Sequence, residues 1–262
     1  MKPATVVYKN FPEAGYTVIR TPEILFTFDH GPLGMAPLYN HGHADALSIT
    51  LSVNGDLLIV DPGTYAYNGV PEFRRYFKGT RAHNTVTIDK EDQALQETEF
   101  IWRHPYMARL SGVSELNEGL RLEGTHNGYE RLKDPVTHIR KILFSDGELF
   151  LIQDNFRGNG LHEFELNYHL HPDTMTEEQT DGWWLIAHKR TRLYLRLLDG
   201  SCFNYFEGQD NPVFGWYSPS YGVRLKSGVL SHNKRGYSND VSFVTAICIN
   251  RPRQMQELLK KR

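Results

Sequence analysis

Two histidines one residue apart, followed by an aspartate, form the segment with the most chemistry in the chain: His41-Gly42-His43-Ala44-Asp45, within NHGHADALSITL. A neutral imidazole binds transition metals, and imidazole exchanges protons near neutral pH, so the pair suits a metal site, an acid–base site, or both. In an extended chain, residues two apart share a face. His41, His43 and Asp45 would then make one row of two imidazoles and a carboxylate. Two histidines alone do not complete a metal site. The best third ligand is Asp61, in IVDPGTY, at the far end of a hairpin whose Asn54-Gly55 turn returns it to the vicinity of residues 43–48. His83, in TRAHNTV, opens the next strand and offers a further contact. A His, Asp and His set with one open position is a reasonable zinc environment. The same residues also fit a metal-free row of hydrogen-bonded histidines at a sheet edge.

Other polar groups cluster downstream. Tyr65 and Tyr67 follow the Asp61 turn and either face a cleft or pack the hairpin. Arg74, Arg75, Lys78 and Arg81 make a basic group that could grip sulfates or carboxylates of a polyanion, or form a solvated helix face. His126, Tyr129 and Arg131 in HNGYERL, and His169 and His171 in NYHLHP, read as structural polar groups at strand edges. Cys202 and Cys248 lie in apolar runs and read as buried thiols, with a single inter-strand disulfide as the alternative.

The elements that must position these residues are strands. GYTVIRT, ILFTFDHG, ALSITLSVNGDLLIVDPG, HNTVTID and KILFSDGELFLIQDNFRG are alternating or apolar runs broken by Gly, Asn and Asp. GWWLIAHK, RLYLRLLDG, YGVRLKSGVL and VSFVTAICIN continue the pattern. Asn54-Gly55 and Asp146-Gly147 are strong hairpin turns. Helical signals are confined to PEFRRYFKG and the terminal RPRQMQELLKKR. The expectation is all-β: a large antiparallel β-sandwich with one or two short helices. A single domain over 1–262 is preferred, with a weak subdivision near 172–182.

A net charge of −2 gives no electrostatic case for nucleic acid or an anionic membrane. No apolar run approaches the roughly 18 residues of a membrane span. The opening MKPATVVYKNFPEAGY lacks the apolar centre of an export signal. Aromatics at 12% suit strands and sugar-stacking surfaces alike.

Cupins also place His-x-His on a β-strand, but they follow it with a glutamate ligand, and none lies between His43 and Asp56. The stronger resemblance is to the C-terminal β-sheet domain of the heparinase II/III-like polysaccharide lyases. It rests on HGHADALSITLSVNGDLLIVDPGTYAY, RAHNTVTID, HNGYERLKDPVTHIRKILF and FRGNGLHEFELNYHLHP, in the family's order over roughly residues 15–175, with GWYSPSYG as a looser match.

That resemblance implies a β-sandwich joined to an α/α toroid, with a cleft between them that degrades uronic-acid polysaccharides such as heparan sulfate or alginate by β-elimination. It implies a mainly structural zinc on the residues matching His43, Asp61 and His83, and a catalytic role in the cleft for His41. The pair is thereby divided, and Gly42 is expected to supply the twist or bulge that lets the two side chains diverge. Asp45 is expected to orient an imidazole by a hydrogen bond. The toroid, which normally adds an Asn, a His and a Tyr, has no counterpart in these residues. The partners expected are therefore an acidic polysaccharide and a toroid domain or partner chain. Family members are often exported, and the compartment stays open. Two further functions remain: a non-catalytic carbohydrate-binding or scaffold sandwich, and a cupin-like metalloenzyme holding metal through both His41 and His43.

Overall fold

Alternating side chains build the sheets. In Ile49–Val53 the apolar positions 49, 51 and 53 are buried, and in Thr191–Leu197 every second residue is. A computed structural model describes residues 7–116 and 119–249, so the helix expected over RPRQMQELLKKR lies outside the described residues.

A five-stranded sheet runs in chain order through β1 (Val7–Phe11), β2 (Tyr16–Arg20), β3 (Ile24–Asp29), β4 (Ile49–Val53) and β5 (Asp56–Ile59). Helix α1 (Pro71–Lys78) follows, then β6 (Val86–Ile88). β6 edges a four-stranded sheet with Leu161–His169, Gly228–Tyr237 and Asn204–Glu207. An eight-stranded sheet runs from Met175–Glu178 at one edge to Ala108–Leu116 at the other. The pairings among these strands are antiparallel.

The two smaller sheets meet edge to edge, where Ile59 bridges Leu170 and the Val60 amide donates to His169 O at 3.0 Å. Together they cover one face of the large sheet. Phe26 stacks on Phe150 with centroids 4.5 Å apart, and Phe156 meets Phe164 at 4.3 Å, so one apolar core lies between the layers. The chain is an all-β antiparallel sandwich, as its alternation predicts.

The Asn54-Gly55 turn joins Val53 directly to its partner Asp56, with φ of 54° and 79°. Two consecutive positive φ values give the type I′ twist that suits a tight hairpin. Asp146-Gly147 also takes positive φ, but Ser145 pairs with Leu149, so that loop is one residue longer. The polar stretch near 172–182 supplies the edge strand Met175–Glu178, paired with Trp184–His188. Only α1 is an α-helix among the described residues, with 3₁₀ turns at Thr80–Ala82 and Thr180–Gly182. No disulfide joins the cysteines: Cys248 is buried as expected, whereas Cys202 is exposed, beyond the end of the preceding strand.

Candidate metal centre and the His41 face

Residues 41–48 are not a strand. The chain between β3 and β4 is irregular, and regular pairing begins only at Ile49. The same-face row available to an extended segment therefore does not form. Several backbone groups of this segment find specific partners instead. Trp102 Nε1 donates to Gly42 O at 2.9 Å, Tyr106 Oη donates to His43 O at 3.0 Å, and the Ala44 amide donates to Lys78 O at 2.8 Å. Gln93 holds both the amide and the carbonyl of Ala46. Gly42 owes its identity to close packing rather than to a bulge. A Cβ there would lie 3.0 Å from Gly34 N and 3.1 Å from Leu33 Cδ1.

The Asp61 segment is pinned from the other side. Gly63 has φ +75°, and a Cβ on it would stand 2.3 Å from Ser218 O. The Ser218 amide donates to Pro62 O and its hydroxyl to Thr64 O. GWYSPSYG is thus the hairpin that holds the Asp-Pro-Gly-Thr turn. His83 leaves the 3₁₀ turn after α1 completely buried.

These segments bring His43, Asp45 and His83 into one group, with the expected ligand Asp61 placed against His83. His43 Nδ1 lies 3.3 Å from His83 Nε2, and Asp61 Oδ2 lies 3.5 Å from the same His83 nitrogen. The Asp45 carboxylate joins both imidazoles, with donor atoms within 4.8 Å of one another. His83 Nδ1 donates to Gly79 O at 2.8 Å, which fixes the tautomer and leaves Nε2 as a bare lone pair facing Asp61. Two lone pairs at that distance repel unless a cation or proton stands between them.

Burial, with His83 as the next cause, pushes the His43 pKa down to about 3, and burial lowers that of His83 as well. Both rings are therefore neutral, which is the ligand form. Nitrogen ligands about 2.0–2.1 Å from a tetrahedral zinc stand about 3.3–3.4 Å apart. The observed separation matches that requirement, and the donor set fits the ion.

His41 faces elsewhere. It is exposed, and its ring meets the edge of Tyr67 with centroids 6.0 Å apart. Tyr67 in turn packs on Phe100 and Tyr221. His41 lines a cavity of about 330 Å³ with Tyr16, Asp29, His43, Asp45 and Asp61. Burial raises the Asp29 pKa to about 6 and that of Asp45 well above the carboxylate range, with Asp29 the second cause for Asp45. A cation beside them would reverse that balance. Asp45 Oδ1 lies 3.3 Å from Tyr106 Oη, whose hydroxyl is shared with His43 O at 3.0 Å.

The model of the C-terminal domain of heparinase II/III-like proteins matches residues 4–243. The chain belongs to the heparinase II/III-like family. It is 26% identical over 250 residues to a heparin-sulfate lyase of Bacteroides stercoris, covering 92% of this chain and 34% of that protein. Its fold matches the heparan sulfate lyase HepC of Pedobacter heparinus with a TM-score of 0.75 at 19% identity, over 93% of this chain and 36% of that one. A heparinase III, the BT4657 gene product, superposes with a TM-score of 0.72 at 22% identity, over 93% and 35%. The chain spans about a third of the length of these relatives.

Other expected site residues of this heparinase II/III-like domain are distributed differently. Tyr65 packs against Phe73 and Phe77 in a core cluster, leaving Tyr67 as the tyrosine beside His41. The basic group is neither a solvated face nor a single grip. Arg74 and Lys78 are buried, with Arg74 Nε on Glu99 O, Lys78 Nζ on Thr98 O, and the two cations over the Tyr67 and Trp102 rings. Arg81 is engaged with Glu165 at 2.9 Å and with the Phe214 ring. Only Arg75 is exposed, and together with Arg81 it lines a separate cavity of about 830 Å³ beside α1. His41 is not part of the donor cluster, so the two-histidine ligation required by a cupin-like site is absent.

Sequence reasoning placed His126 at a strand edge and missed the other buried polar groups behind the site of this heparinase II/III-like domain. His126, His138, Arg140 and Asp154 are fully buried. The Gly128 amide donates to His126 Nδ1, so His126 Nε2 carries the proton donated to His138 Nδ1, and His138 Nε2 donates to Asp154 Oδ1 at 2.7 Å. A signal existed. His138 and Arg140 are in phase with Val136, Ile142 and Phe144, and Asp154 with Phe150, Ile152 and Phe156, on the inward face of their strands.

Proposed function

We propose that this chain is the β-sandwich half of a polysaccharide lyase that cleaves uronic-acid-containing polysaccharide by β-elimination, completed by an α/α-toroid domain or partner. The observation that carries this reading is the divergence of His41 from His43. One imidazole is exposed against the Tyr67 ring, while the other, on the lining of the same cavity, meets His83 Nε2. The acidic-polysaccharide class comes from the heparin- and heparan-sulfate lyases that the chain resembles.

Elimination at a uronate removes the C5 proton and expels the oxygen on C4. The carboxylate must be neutralised for that proton to become acidic enough, a base must take it, and an acid must protonate the departing oxygen. His41 can donate a hydrogen bond to the carboxylate or accept the C5 proton. Tyr67 edges the His41 ring and restricts its rotation. His41, the exposed imidazole on the lining it shares with Asp29, Asp45 and Asp61, is where the uronate carboxylate would sit. The opposite wall and the remaining acid–base group belong to the toroid.

His43, Asp61 and His83 would hold zinc, with Asp45 beside them. When bound, the ion supplies a fixed positive charge that clips the 43–47, 61–64 and 83 segments together. Thr64 Oγ1, 3.3 Å from His43 Nε2, holds the far side of that ring.

The test joins this domain to an α/α toroid and follows ultraviolet absorbance of unsaturated uronate released from heparan sulfate and alginate. Product should form and disappear in His41→Ala. Binding of polysaccharide without unsaturated product would favour the non-catalytic carbohydrate-binding reading, and full activity in His41→Ala would remove the assigned role.

A further inference from the structure

The segments carrying His43, Asp61 and His83 are irregular at the ligands themselves, so sheet pairing does not set their relative positions. Their backbones converge on one buried node. Arg140 Nη1 donates to Leu47 O at 2.7 Å and to Asn84 O at 2.5 Å. Leu47 closes the His43 segment with φ +64°, and Asn84 directly follows His83. The Asn84 side-chain Nδ2 donates to Val60 O at 2.8 Å, the carbonyl preceding Asp61, and to Ile49 O at 2.7 Å. Each ligand segment is therefore tied to this node within four residues of its ligand.

Arg140 is itself held rigidly. It is fully buried, and its fork meets Asp154 twice, Nε to Oδ1 at 2.7 Å and Nη2 to Oδ2 at 3.1 Å. A planar guanidinium can satisfy a carboxylate along one edge and present further N–H donors along another, which an ammonium cannot do in that geometry. Asp154 is also the acceptor for His138, so the anchor is bonded on both sides.

Building on the metal reading of His43, Asp61 and His83, we infer that Arg140 is a positioning residue for that site. It sets the distance between the His43 and His83 segments from behind, without touching either ring. Functional constellations tolerate errors of only about 0.5 Å, and here the node is what spans the independent segments.

The test compares wild type with Arg140→Lys, which keeps a cation beside Asp154 but cannot reach both carbonyls. Leu195→Ala, a buried change in the same sheet, serves as the control for a general loss of stability. In chelator-treated protein at fixed pH, the ring-nitrogen NMR signals of His43 and His83 should move or split in Arg140→Lys and stay in place in Leu195→Ala. Zinc affinity, read by chelator competition, should fall about 10–100-fold in Arg140→Lys, the range for residues that orient ligands. Should Arg140→Lys fail to fold, Asp154→Asn weakens the same fork and is read identically. Ring signals matching wild type, or moving equally in the control, overturn the inference. Wild type that takes up no zinc overturns the metal reading alone, because the metal-free ring signals still decide the positioning role.

Discussion

His43 Nδ1 and His83 Nε2 stand 3.3 Å apart, although 40 residues separate them in the chain. The distance is long for a strong hydrogen bond and right for two ligands of one tetrahedral ion. Asp61 Oδ2 stands 3.5 Å from the same His83 nitrogen, and the Asp45 carboxylate lies beside both rings.

Metal analysis of protein purified without chelator should find one zinc per chain. His43→Ala, His83→Ala and Asp61→Asn should each lose it. With zinc at 100 times its dissociation constant, the wild type should gain about 2.7 kcal/mol over its metal-free form. Chelator should lower the melting temperature of wild type and leave the three variants nearly unchanged. Zinc-free wild type, or variants that keep the ion, would contradict the ligand assignment.

His41→Ala should separate the two histidines. His41 is exposed and outside the cluster, so stability should change by no more than about 0.5 kcal/mol. Zinc content should be unchanged. Loss of the ion in this variant, measured by the same metal analysis, would place His41 among the ligands.

Gly63→Ala places a side chain at φ +75° against Ser218 O. The conformational penalty alone is about 1 kcal/mol, and the clash adds to it. Chemical denaturation should report a loss of at least that size, together with weaker zinc binding because Asp61 follows the turn. Unchanged stability would mean that the Ser218 hairpin yields.

Acid should destabilise the fold through its buried histidines. Burial lowers the pKa values of His126, His138 and His169, the last to about 3, from an ordinary 6.5. Below pH 6.5 the unfolded chain takes up protons that the folded chain refuses, so stability falls as pH falls. Each such histidine contributes a slope of about 1.4 kcal/mol per pH unit until its folded value is reached. Urea midpoints between pH 6.5 and 4.5 should drop steeply, and His169→Gln should remove about one histidine's share of that slope. An equal slope in the variant would contradict the assignment.

The strands, the Asn54-Gly55 hairpin and the return of Asp61 toward His43 were all legible in the sequence, because alternation and turn chemistry are local. So was the in-phase placement of His138, Arg140 and Asp154 on a buried face, although their apolar neighbours mask it. The separate directions of His41 and His43 were not legible from spacing. A strand would align them, whereas the Trp102 bond to Gly42 O between them and the Tyr106, Lys78 and Gln93 bonds to residues 43–46 hold this segment in an irregular path.

By itself, then, the sequence determined the all-β architecture, the family and the residues able to bind a metal or move a proton. The tertiary structure alone decided which of them meet. It brought Asp45 into the cluster, buried Arg74 and Lys78, engaged Arg81 with Glu165, and set Arg140 behind the ligand segments. The physical reason is range. Strand and turn preferences act over a few residues, whereas these contacts join positions 20 to 93 apart and exist only once the two layers have closed on a common core.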